Sequence, residues 1–224
     1  MDDSPSDTPS GTVVNHHADH PGFSGVTGAI FGLLFIAIGR ANAELAVAAI
    51  DESGRLGSAD HVVDVGCGPG TAARMAAHRG ARVTAVDPSA EMLRVGRLVT
   101  GTRTAGDIAW RRGTAEDLPV NDGAATVLWA LATVHHWQDV DRGLREAHRV
   151  LAPGGRLLAI ERQVAAGATG FASHGWTKEQ AHAFAAMSQA AGFDRPEVTA
   201  RRHGRKAVWL VTAVRARPTV SNRN

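Results

Sequence analysis

The chain has one cysteine, Cys67, no tyrosine and only two lysines, Lys178 and Lys206. A single thiol excludes an intramolecular disulfide, and a reducing cytoplasm suits such a chain. Scarcity of lysine and tyrosine also reconciles a formal charge of +2 with a pI of about 9.3. Few groups titrate between neutral pH and that point, so the high value does not mark a nucleic-acid binder. Aromatic residues are 5% of the chain and do not interleave with basic ones, as single-strand binding requires. The longest apolar run, Val26 to Gly39, falls short of the roughly 20 residues of a membrane-spanning helix, so no stable membrane insertion is expected. No Gly-Lys-Ser/Thr follows a glycine loop, which excludes a Walker phosphate loop. His16, His17 and His20 could hold a metal only adventitiously, and no metal is expected.

What the chain does contain divides simply. Its 224 residues, 44% hydrophobic, suffice for one sizeable core. Residues 1–21 are rich in Ser, Pro, Asp, Thr and His and read as a disordered tail, with His16, His17 and His20 part of it. Residues 22–50 read as an apolar helical lid, 51–215 as the main domain and 216–224 as a flexible tail. Ala41-Asn42-Ala43 mimics a signal cleavage site, but four aspartates and no basic residue precede Arg40. A cytoplasmic protein, monomer or homodimer, is the expectation. From His61 onward strands and helices alternate, which implies a mostly parallel sheet with helices on both faces. A closing hairpin, about Glu197 to Val214, adds an antiparallel edge. The basic cluster Arg201-Arg202-His203-Gly204-Arg205-Lys206 reads as the solvated loop of that hairpin.

The densest signal is Val62-Val63-Asp64-Val65-Gly66-Cys67-Gly68-Pro69-Gly70. An apolar strand ends in an acid, then a glycine loop, then an Ala-rich helix from Thr71 to Arg79. Such a unit binds a nucleotide. A dinucleotide fingerprint needs its third small residue at position 71, where Thr71 stands. Asp64 also lies where a pyrophosphate would be repelled and a cationic group attracted. A nucleoside with a cationic arm fits, and S-adenosylmethionine answers that description. A second strand ends at Asp87, about twenty residues past the loop, where an acid can accept both ribose hydroxyls.

These stretches, with Met92-Leu93, Gly113-Thr114-Ala115-Glu116-Asp117-Leu118-Pro119, His135-His136-Trp137 and Arg149-Val150-Leu151-Ala152-Pro153-Gly154-Gly155-Arg156, resemble the class I S-adenosylmethionine-dependent methyltransferases. The likeness is to the type-11, quinone-biosynthesis-like branch and covers about residues 40–214. It implies a Rossmann-like sheet of seven strands. It implies that Asp64, Gly66 and Gly68 line the methionine end, Asp87 and Met92 the ribose and adenine, Ala115 and Glu116 the adenine edge, and Ala130 the methionine moiety. Cys67, Gly70, Pro88 and Leu131 complete the cofactor set. Two departures stand out. Thr114 replaces a usual acid, and Ala125-Thr126 replaces a Phe-Asp pair, which is expected to loosen the start of the fourth strand. With Cys67 inside the cofactor loop, the thiolate of cytosine-C5 methyltransferases has no counterpart.

The acceptor is expected to be a small, partly hydrophobic metabolite, with O-methylation favoured; a non-catalytic cofactor-binding protein or an RNA or protein methyltransferase is the alternative. Small-molecule O-methyltransferases of this branch pair a histidine with an acid, and the resemblance implies His135 as base with Glu161 as its partner. His136 is the third residue of this set. A bland alternative is that both histidines only cap the turn into the next helix, with Asp139.

Overall fold

The computed structural model describes residues 25–101, 106–204 and 206–217, with side chains from residue 39 except that of Phe171. The expected tail at 1–21 and all but Ala216 and Arg217 of that at 216–224 lie outside the described residues. Seven strands, β1 (His61–Val65), β2 (Arg82–Asp87), β3 (Ile108–Arg112), β4 (Ala125–Leu131), β5 (Leu151–Arg162), β6 (Phe193–His203) and β7 (Lys206–Arg215), form one sheet in the order β3-β2-β1-β4-β5-β7-β6. The first five are parallel, and β7 pairs antiparallel with both β5 and β6. The helices are α1 (Gly25–Ser53), α2 (Thr71–His78), α3 (Ala90–Thr100), α4 (Val140–Val150) and α5 (Lys178–Ala190).

The near-continuous apolar runs of the central strands are explained by cover on both faces. Val62, Val127, Trp129, Leu158 and Ile160 meet Ala43, Ala46, Ile50, Ala73, Ala76 and Leu93 on one side. The alternating residues Val63, Val65, Leu128, Leu157 and Ala159 meet Leu144, Ala147, Phe184 and Ala185 on the other. Strand order reverses between β1 and β4, and that switch point opens the ligand crevice at the carboxyl ends of the strands.

Three readings change against the structure. First, α1 runs unbroken past residue 50, so the boundary at 50/51 cuts through a helix. Ala43, Ala46, Val47 and Ile50 are buried at 0–6% exposure and belong to the domain core, where a buried Ile alone contributes about 2 kcal/mol. Gly39 lies against Thr71 at the start of α2, and Asp51 pairs with Arg79 at its end, so the two helices run side by side in one direction. Second, Thr126 does not loosen β4. Its hydroxyl accepts from the His61 amide at 3.1 Å and donates to Asp60 at 2.8 Å, replacing the expected acid with a two-way link to β1. Third, the basic hairpin is not wholly solvated: Arg201 pairs with Glu52 at 2.9 Å and His203 with Glu44 at 3.0 Å, both on α1.

β5 begins irregularly: Leu151 pairs with Ala125, the chain bulges through Gly154 at φ 83°, and pairing resumes at Arg156 opposite Val127.

Candidate active site

The glycine loop follows β1, and Gly66, Gly68 and Gly70 all have positive φ, at 66°, 52° and 75°. That geometry favours glycine. Their neighbours separate them further. A side chain on Gly66 would collide with Thr133, and one on Gly70 with the Trp110 ring. At Gly68 an added Cβ would meet nothing within 4 Å, so this glycine alone faces a cradle open to a ligand. The loop is held from behind by Arg74, whose guanidinium donates to the Pro69 carbonyl at 2.6 Å.

Two acids border the cradle. Asp64 is 2% exposed, and its Oδ2 has no hydrogen-bond partner among the described residues. Burial pushes its carboxyl up to about 7. The Trp129 indole on the paired strand, and after it the Ala73 amide, act against this, although the indole nitrogen closes no hydrogen bond among the described residues. Asp87 accepts from the Gly68 amide at 2.8 Å and the Ser89 amide at 2.9 Å, and burial still holds it above the ordinary carboxylate range. The N-cap of α3 is Ser89, which accepts from the Met92 amide. Cys67 sits between these acids; burial, then the charges of Asp64 and Asp87, push its thiol well up, the opposite of an activated nucleophile.

Met92 and Ala115 are buried beside this crevice, Ala130 is fully buried near the end of β4, and Leu131 is partly exposed. Pro88 is exposed, and its carbonyl accepts from Arg112 at 3.2 Å. Glu116 is engaged elsewhere than expected from its side chain: Oε1 accepts from the Gln138 and Asp139 amides at 2.8 and 3.2 Å. It ties the 114–117 turn to the start of α4, leaving its backbone for any adenine contact.

Beyond β4 the chain makes a turn that sequence alone did not reveal. Ala132 holds φ 56°, a conformation that costs a non-glycine residue on the order of 1 kcal/mol and is concentrated at functional sites. Thr133 then packs on Gly66, and Val134–His136 form a 3-10 turn. Glu161, at the end of β5 and wholly buried, accepts from the Val134 amide at 2.8 Å and the His135 amide at 3.4 Å. Its other oxygen accepts from His135 Nδ1 at 2.8 Å, with the imidazole only 3% exposed. His136 is the exposed member of the pair, so His135, not His136, is the one turned inward. The α4 cap is supplied by Asp139 through the Arg142 amide, and neither histidine is needed for it.

A carboxylate accepting from Nδ1 sets the tautomer and leaves the His135 lone pair on Nε2. That nitrogen is the atom able to take a proton beside the end of β4. An under-partnered buried acid next to an open cradle, and an oriented imidazole across the switch point, fit a cationic nucleoside and a group to be deprotonated.

Known proteins agree. The Methyltransferase domain family matches residues 63–159. An S-adenosylmethionine-dependent methyltransferase from Aquifex aeolicus has the same fold, at TM-score 0.68 and 17% identity, over 83% of this chain and 97% of that one. Residues 63–159, under half of the chain, thus match a methyltransferase domain, and they lie in a sheet that has the fold of S-adenosylmethionine-dependent methyltransferases. More particularly, this stretch is similar to methyltransferases of quinone biosynthesis. It is 42% identical over 101 residues to the ubiquinone/menaquinone biosynthesis C-methyltransferase of Rubrivivax gelatinosus, covering 45% of this chain and 39% of that protein. It is 40% identical over 85 residues to human mitochondrial 2-methoxy-6-polyprenyl-1,4-benzoquinol methylase, covering 37% of this chain and 25% of the relative. The matched stretch is thus well under half of either relative's length. Among the described residues no helix is long and apolar enough to cross a membrane.

Proposed function

We propose that the chain methylates a small hydroxylated, partly hydrophobic ring compound, with His135 as general base. The observation that carries this is the buried His135–Glu161 pair at 2.8 Å, placed at the adjoining ends of β4 and β5. Bound S-adenosylmethionine supplies a methyl group already activated by a sulfonium. What remains for the protein is alignment and proton removal. His135 Nε2 takes the hydroxyl proton, and Glu161 holds the ring and stabilises its cation. Asp64 faces the cationic methionine arm, Gly68 gives it backbone without a side chain, and Asp87 takes the ribose hydroxyls while keeping the loop closed.

O-methylation is the direct outcome of deprotonating a hydroxyl. C-methylation is the second reading, favoured by the names of the quinone-biosynthesis relatives. A phenolate carries charge on oxygen and ring carbon, so one base serves both.

The lid belongs to this proposal too. Because α1 runs alongside α2 from Gly39 onward, its upstream backbone extends about 20 Å beyond the start of α2, on the side where ligands enter. A helix there excludes water and offers the acceptor an apolar wall.

The test is methyl transfer from labelled S-adenosylmethionine to a panel of quinols and phenols, with mass spectrometry locating the new methyl group. Transfer to RNA or bulk protein, with none to the panel, overturns the acceptor class.

A further inference from the structure

A buried indole N–H ordinarily finds an acceptor, because leaving it bare forfeits a hydrogen bond that water would have made. Trp129 in β4 departs from this: it is 0% exposed, and its Nε1 closes no hydrogen bond among the described residues. Asp64 departs in the complementary sense, with a buried Oδ2 that accepts from nothing described. The two residues stand opposite one another in the parallel pairing of β1 with β4. Neighbouring strands lie about 4.8 Å apart, and paired residues leave the sheet on the same face. That face is the one where Val62, Val127 and Trp129 meet α1 and α2. A bare donor and a bare acceptor therefore share one dry layer beside the glycine loop.

Little else is placed to serve the Asp64 carboxylate. The charged groups that face it are Asp87 from β2, which repels it, and Arg74 from α2, which favours its ionised form. Arg74 is committed to the Pro69 carbonyl at 2.6 Å. From the loop itself the Cys67 thiol, pushed well up, brings no charge. Among the groups that favour ionisation the Trp129 indole comes first, ahead of the Ala73 amide and Arg74. A hydrogen bond to an ionised acceptor is roughly twice as strong as one to a neutral acceptor. The indole therefore gains most from Asp64 when the carboxyl loses its proton, and a cation arriving at the cradle draws that proton off.

We propose that Trp129 is a positioning residue for cofactor binding, its indole N–H closing onto the Asp64 carboxylate as the cationic methionine arm settles against that acid. The Asp64 proton leaves to solvent, and the carboxylate is held between indole and cation. Any large apolar residue fills this layer; tryptophan adds a donor to it. The inference rests on the reading that Asp64 faces the cationic arm.

The test is the pH dependence of S-adenosylmethionine affinity, measured by calorimetry from pH 5.5 to 8.5 on the full chain and on Trp129→Phe. Phenylalanine keeps an aromatic ring in the layer and removes the donor. The bend in the affinity profile should move up by about one pH unit. The variant then binds about tenfold more weakly at pH 6, yet within about threefold of wild type at pH 8.5. The ligand's own amino group titrates alike against both proteins and cancels. 5′-Methylthioadenosine, which lacks the amino-acid arm and its charge, should bind both proteins alike and without pH dependence. A second readout needs no variant. In proton–nitrogen correlation spectra of wild type, the Trp129 indole proton should move downfield with S-adenosylmethionine and stay in place with 5′-methylthioadenosine. That result decides the matter even where Trp129→Phe does not fold. A loss of packing alone weakens both ligands equally at every pH with the bend unmoved, and overturns the proposal, as does an indole proton that stays in place with both ligands. If wild type binds S-adenosylmethionine with a flat profile, or not at all, the reading of Asp64 falls and this proposal with it. A sloping profile whose bend Trp129→Phe leaves unmoved removes this proposal and spares that reading.

Discussion

On the β1–β2 side of the crevice, Asp87 reaches Gly68 across 19 residues, and Asp64 stands with one oxygen unpartnered in a buried setting. On the β4–β5 side, Glu161 accepts three hydrogen bonds from a turn 26 and 27 residues away. One half therefore stores an acid under strain of desolvation, while the other satisfies its acid fully. The difference matches two tasks. A cation-binding half gains from a carboxylate that the protein alone does not neutralise, because the ligand's charge then adds most. A base gains from a partner that fixes its ring and tautomer before the acceptor arrives.

The sharpest test of this division removes the segment ahead of the buried part of α1. Deleting residues 1–39 should abolish methyl transfer, more than a hundredfold, and raise the cofactor's dissociation rate. The domain should stay folded, because Ala43, Ala46, Val47 and Ile50 are retained. Stopped-flow release and steady-state turnover check this together. Normal turnover by the truncated chain would end the lid proposal.

Next comes the acceptor half alone. His135→Ala should lower kcat by about a hundredfold or more and leave S-adenosylmethionine affinity within a few-fold. Glu161 is left buried without the His135 ring as a hydrogen-bond donor in that variant, which can cost a few kcal/mol of stability. His135→Asn, which can still donate to Glu161, is therefore measured beside it, and Glu161→Gln should lose less. Full activity in both His135 variants would leave catalysis to proximity.

The cofactor half should respond in the reverse manner. Asp87→Ala should weaken S-adenosylmethionine and S-adenosylhomocysteine by more than tenfold, since it loses charge-assisted bonds to ribose and the tie to Gly68. Calorimetry showing unchanged affinity would remove the ribose assignment.

The two halves also differed in how far the chain itself announced them. Strand, glycine loop and helix are contiguous between Val62 and Arg79, so their chemistry is visible as a string. Even there the reason for each glycine was not: Gly66 and Gly70 make room for Thr133 and Trp110, residues 67 and 40 positions away, and only Gly68 opens to ligand. The His135–Glu161 pairing came from family likeness and from knowing which strands adjoin. The apolar wealth of Val26–Gly39 suggested a separate lid, yet periodicity could not show that the same helix continues into the core. Thr126 was misjudged because a hydroxyl can replace a carboxylate when both a donor and an acceptor lie within reach.

The mildest test sets stability against binding at a single atom group. Asp64 has its carboxyl raised to about 7, chiefly by burial. A carboxyl whose folded value lies above its unfolded one stabilises the protein while protonated, and that stability is lost as pH rises through about 7. The cofactor-free protein should therefore be less stable at pH 8 than at pH 5.5 on account of this residue. Asp64→Asn, neutral throughout, should lack this loss, so that its stability relative to wild type rises by about 2 kcal/mol between pH 5.5 and pH 8 in denaturant unfolding. Binding should show the opposite sign. A cationic ligand needs the carboxylate, so wild-type S-adenosylmethionine affinity should fall as pH drops below 7, by less than tenfold per unit. In Asp64→Asn the affinity should be weak and flat with pH. A wild-type affinity that is itself flat from pH 8 to 6, or an Asn variant whose stability relative to wild type does not rise toward pH 8, would mean that Asp64 is not the group holding uncompensated charge, and the contrast with Glu161 would lose its physical basis.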